Sequence, residues 1–126
     1  MKNVLLLFGF LSICLCLASC GSDDGPEINI TSPSDGDTFA PGDIIAMAGS
    51  ITDDVEVASL SVAIDGGLLD ASPIDLEGLT DLTSVPLSGI NITLDNATAV
   101  GDYIITLTAT DNDGNSESEE VGITVQ

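Results

Sequence analysis

Thr110 to Glu120 reads TDNDGNSESEE, with Asp111, Asp113 and Asn115 spaced i, i+2, i+4. That spacing opens the loop of an EF-hand, where side-chain oxygens converge on calcium. The rest of such a loop is absent. Its sixth position needs glycine and holds Ser116, and its twelfth needs glutamate and holds Gly122. An EF-hand is excluded. Two chemistries remain for these residues. Carboxylates that converge without a neutralising cation repel one another or recruit a hard ion such as calcium. Alternatively, Asp and Asn in turns accept hydrogen bonds from main-chain N–H groups and then face water.

Composition narrows the other options. Of 126 residues, 21 are Asp or Glu, Lys2 is the only basic residue, and histidine is absent. A surface of one sign repels nucleic acid, so no nucleic-acid partner is expected. Histidine's absence removes the commonest general base and the commonest transition-metal ligand. Paired carboxylates can hydrolyse glycosides, but no sequence context here marks a cleft around a pair, and no Gly-rich phosphate loop occurs. The chain is read as non-enzymatic. With 44% apolar residues it has enough material for a core.

The N-terminus accounts for the lone lysine. Met1-Lys2-Asn3 is a short positive segment, and Val4 to Leu17 is an apolar run too short for a membrane span of about 20 residues. It ends in Leu17-Ala18-Ser19-Cys20, which resembles a bacterial lipobox. That resemblance implies cleavage after residue 19 and a lipid (diacyl) anchor on Cys20, with palmitate among the acyl chains. Cys14 and Cys16 then leave with the leader, and no internal disulfide remains open to the mature chain. Residues 20–26 read as the lipidated cysteine and a flexible tether. Within it Ser22-Asp23-Asp24 resembles the serine-plus-acidic export signal of Bacteroidota lipoproteins. The implied address is the outer membrane, lipid-anchored and exposed at the cell surface.

The elements that must position the acidic residues follow from period-two alternation over residues 27–126. Ile28 and Ile30 alternate with polar residues, as do Leu60, Val62 and Ile64. Ile45, Met47 and Ile51 share a face, and so do Ile90, Ile92 and Leu94. Tyr103, Ile105, Leu107 and Ala109 form another row, and Val121, Ile123 and Val125 the last. Turn chemistry separates these runs at Ser32–Asp37, Ala40–Asp43, Asp65–Gly67 and Asn112–Asn115. The pattern predicts an all-β antiparallel sandwich of about seven strands. Residues 68–89, interrupted by Pro73 and Pro86, are expected to hold one irregular strand and a long loop.

The segments PEINITSPSDGDTFAPGD, ITDDVEVASLSVAIDG and GDYIITLTATDNDGN together resemble bacterial immunoglobulin-like domains of cell-surface proteins. The resemblance covers residues 26–126 and is weakest over 68–89. It implies an immunoglobulin-like sandwich and says little about activity, because such domains serve as spacers, adhesins and binding modules. It also implies that Tyr103, at the start of the family's F strand, forms a tyrosine corner with a structural role. In this topology the loop at Thr52–Glu56 and the loop at Asp111–Glu117 lie at one end, so Asp53, Asp54, Asp111 and Asp113 face one another as a candidate calcium site. The implied role is a structural or interaction module of the outer envelope, with membrane contact through lipid. A calcium-dependent module for an extracellular glycan or protein is the alternative.

Overall fold

The computed structural model describes residues 25–66 and 68–126. The leader, Cys20 and Ser22-Asp23-Asp24 lie outside the described residues. Ten strands follow in order: β1 (Glu27–Ser32), β2 (Asp37–Phe39), β3 (Ile44–Ala46), β4 (Ala48–Thr52), β5 (Val57–Ile64), β6 (Leu69–Ile74), β7 (Ser84–Pro86), β8 (Asn91–Thr93), β9 (Gly101–Asp111) and β10 (Ser116–Val125).

They form two layers. One is the five-stranded sheet β2-β10-β9-β5-β6; the other is β1-β4-β7 continued by β3-β8. β3 and β4 act as one strand interrupted at Met47, and β7 and β8 as its partner interrupted at residues 87–90. Main-chain bonds from Met47 N to Ile90 O and from Leu87 N to Gly49 O bridge the interruption. The chain of β1 and β2 changes sheets, pairing first antiparallel with β4 and then parallel with β10. Counted this way the molecule is the seven-stranded immunoglobulin-like sandwich that the alternation predicts.

Alternation also decides what is inside. Ile45, Ile51, Leu87, Ile105, Leu107 and Ala109 are fully buried between the sheets, with Leu60, Val62, Ile64, Val121, Ile123 and Val125 around them. Each buried Leu, Ile or Val removes enough apolar area from water to contribute about 1.5–3 kcal/mol. The reverse face of the five-stranded sheet is a field of hydroxyls. Thr108 Oγ1 and Ser118 Oγ lie 2.9 Å apart across β9 and β10, and Thr110 Oγ1 and Ser116 Oγ lie 2.6 Å apart.

The structure departs from the sequence expectation in two places. Residues 68–89 hold two strands, β6 and β7, joined by the loop 75–83, rather than one irregular strand. Pro73 is accommodated because β6 is the edge of its sheet, where a missing N–H costs no ladder bond. The boundary of the domain also lies earlier than expected. Gly25 packs against Asn115 and Ser116, and Pro26 is fully buried, so both belong to the folded body and not to the tether.

Candidate functional site

The two acidic loops do share one end of the sandwich. Val57, which begins β5, stands in register with Asp111, which ends β9. Asn112 N donates to Glu56 O at 3.0 Å and ties the loops together. A third segment joins them that the sequence did not indicate. Asp53 N donates to Thr83 O at 3.1 Å and Val57 N to Leu82 O at 2.9 Å, bringing the end of the 75–83 loop alongside.

Within this end the four candidate ligands have different surroundings. Asp111 is 2% exposed, one of two buried polar side chains among the described residues, the other being Thr98. Its Oδ1 accepts the N–H groups of Asp113 and Asn115, both at 2.8 Å, and its Oδ2 accepts Asn115 Nδ2 at 2.9 Å. Its own N–H donates to Asn115 O, and its carbonyl accepts Gly114 N. The side chain and main chain of one residue therefore close the whole β9–β10 turn. Burial is the largest influence on this carboxyl and pushes its pKa up. The donors of Asn115, Asp113 and Gly114 together outweigh it and hold the pKa below its ordinary value.

Asp53 is half-buried. Its Oδ1 accepts Val55 N at 3.1 Å, while its Oδ2 is buried with no hydrogen-bond partner. Asp54 and Asp113 are exposed. Among the described residues, no group of three or more His, Cys, Asp or Glu side chains stands in a position to hold one metal ion.

The capping role seen at Asp111 recurs through the molecule. Asp37 Oδ2 accepts Ser34 N, Asp43 Oδ2 accepts Ala40 N, and Asp95 Oδ1 accepts Ala97 N, each at 2.8 Å. At Asp81 the carboxylate takes both Thr83 Oγ1 and Thr83 N, the hydroxyl being the larger influence, and its pKa is lowered. Two aspartates reach further and extend a strand ladder. Asp65 Oδ1 accepts Ile104 N at 2.7 Å, and Asp35 Oδ1 accepts Gly122 N at 2.9 Å. With no cation among the described residues, these carboxylates are satisfied largely by main-chain donors.

At the opposite end, Tyr103 Oη donates to Ala99 O at 2.8 Å, the tyrosine-corner geometry, and its ring lies against Gly66. This ties the start of β9 to the preceding loop, a structural task. Elsewhere the loop 75–83 overhangs a groove of about 480 Å³ bordered by Leu60, Ile74, Leu76, Leu79 and Leu82. Ser59, Asp75 and Glu77 also line it.

Two stacked sheets, antiparallel except for the β2–β10 pairing, with a sheet-switching first strand and a tyrosine corner define an immunoglobulin-like module. The chain belongs to the bacterial Ig domain family, whose match spans residues 26–109. In fold it is similar to the fibronectin(III)-like modules of CbhA from Clostridium thermocellum, at a TM-score of 0.54 and 19% identity. That likeness covers 79% of this chain and 46% of the other, so the chain spans less than half the length of that structure. No curated protein matches it.

Proposed function

We propose that this protein is a lipid-anchored module of the bacterial outer envelope, displayed at the cell surface, that supports or binds other molecules without transforming them. One observation carries the non-enzymatic part. The side chains able to do chemistry here are carboxylates, and Asp35, Asp43, Asp65, Asp95 and Asp111 are engaged by main-chain N–H groups in holding turns and strand ends. The anchoring part is supported by the leader, the LASC segment and the Ser22-Asp23-Asp24 segment. Cells expressing the full chain should incorporate radiolabelled palmitate into it and lose that label with Cys20→Ala. Protease added to intact cells should degrade it. A label that survives Cys20→Ala, or a chain shielded from protease until lysis, would refute the anchor or the surface address respectively. Glycan and protein arrays probed with the full chain address the binding role, and absence of any retained partner counts for a purely structural one.

Calcium-dependent binding of a glycan or protein is the second reading. Asp53 Oδ2, buried without a partner beside the Asp111 turn, is the observation that favours it. Melting curves in EGTA and in millimolar calcium discriminate the readings, and superimposable curves dispose of calcium.

A further inference from the structure

In the five-stranded sheet the outer neighbour of β10 is the three-residue edge strand β2, so only part of the outer side of β10 is covered. β2 pairs with Ile123, Thr124 and Val125. Immediately before it, Asp35 Oδ1 accepts the Gly122 N–H and Gly36 N donates to Gly122 O at 2.8 Å. These two bonds fix the parity of the strand, because Gly122 turns both main-chain groups away from β9. Residues two, four and six positions earlier do the same in an antiparallel ladder. Glu120 and Ser118 therefore present N–H and C=O groups on the side where no described strand pairs, while Gly25 lies against Ser116. Residues 116–120 are all exposed. An open row of main-chain donors and acceptors is a template to which an extended peptide adds as a strand.

Side chains decide which peptide. Glu117, Glu119 and Glu120 stand on this row, the first two on one face of the sheet. The titratable groups on the elements packed against it are Asp102, Tyr103 and Asp111 on β9, Asp37 on β2, Glu27 on β1, and Asp35 and Asp113 in the adjoining turns. None is a base. A second copy of the chain would set carboxylate against carboxylate across a pair about 4.5–5.5 Å wide, which is unfavourable. A strand bearing cations has the opposite sign and meets the same main-chain row.

We propose that the open edge of β10, Glu117–Glu120, receives an extended segment of another protein carrying Lys or Arg at alternate positions. The segment continues the sheet where β2 leaves off and sets its cations opposite Glu117 and Glu119. This deepens the reading of the domain as an interaction module and can fail without it. Binding on the arrays with no strand addition removes the edge alone.

The test uses the full chain, site-resolved hydrogen exchange, and two capped peptides of equal charge, (Lys-Val)4 and (Lys-Pro)4, the second lacking the N–H at the positions that face β10 when its lysines stand opposite Glu117 and Glu119. The expected result is binding of (Lys-Val)4 that falls with salt, with slowed exchange at the Ser118 and Glu120 amides, and no protection by (Lys-Pro)4. Glu117→Gln, Glu119→Gln and Glu120→Gln combined should weaken binding roughly tenfold. Ser118→Pro removes an N–H that serves no internal ladder bond, so it should abolish protection while the domain still melts cooperatively. Equal protection by both peptides, undiminished binding by the triple variant, or self-association through these amides at neutral pH would each overturn the proposal.

Discussion

Asp111 shows how one side chain can be both the most suggestive residue in a sequence and a fully employed structural one. Its carboxylate is held below its ordinary pKa despite burial, because the Asp113 and Asn115 N–H groups and the Asn115 side-chain amide all donate to it. A carboxyl whose folded pKa is depressed stabilises the fold above the unfolded value of about 3.9, and that contribution is lost as pH falls through the folded value. Asp111→Asn should therefore lower Tm most at neutral pH, with the gap to the parent closing on acidification below the ordinary carboxylate range. A gap independent of pH would assign the loss to shape alone. Gly49 is the other residue with no substitute. Its φ is +133°, and a Cβ there would run into the Asn29 carbonyl oxygen of the paired strand. Gly49→Ala should cost about 1–3 kcal/mol from the backbone conformation, with the clash in addition, and thermal melting reads it directly.

Strands with several alternating apolar residues were legible without coordinates, and those whose pairing comes from the rest of the sheet were not. β5, β9 and β10 carry rows such as Leu60-Val62-Ile64 and Ile105-Leu107-Ala109, all buried as the alternation requires. β2 and β7 have three residues each, with one inward apolar side chain apiece, Phe39 and Val85, and no period can be read from one residue. The candidate site was legible to the same extent. Turn residues placed Asp111 and Asp53 at one end, but the main-chain bonds from the 75–83 loop depend on contacts distant in sequence. The same holds for the reach of Asp35 to Gly122 across 87 positions. Burial rank sets the energetic order within an element. Leu107→Ala, at a fully enclosed position on β9, should cost about 2–5 kcal/mol, whereas Thr106→Ala on the outer face of the same strand should fall within about 0.5 kcal/mol. Equal losses in denaturant titrations would mean that the hydroxyl field is as important as the core.

Taken whole, the molecule is a like-charged body with no internal counter-ion. The chain carries a net charge of −20, and its lone cation, Lys2, lies outside the described residues. Self-repulsion of that size destabilises a compact state and is screened over about 8–10 Å at moderate salt. Raising sodium chloride from low to physiological concentration should raise Tm, and a flat response would show that the turn caps leave little net repulsion to relieve. Geometry adds a mechanical property to this electrostatic one. β2 runs parallel to β10 along Asp37–Phe39 and Ile123–Val125, and Gln126 N donates to Phe39 O. A pull between the segment before Pro26 and Gln126 loads that pairing lengthwise, so its bonds share the strain and must shear together, where a hairpin pulled from its open end would unzip rung by rung. In flowing water, a handful of rungs arranged as a clasp would set the tension at which the domain gives way.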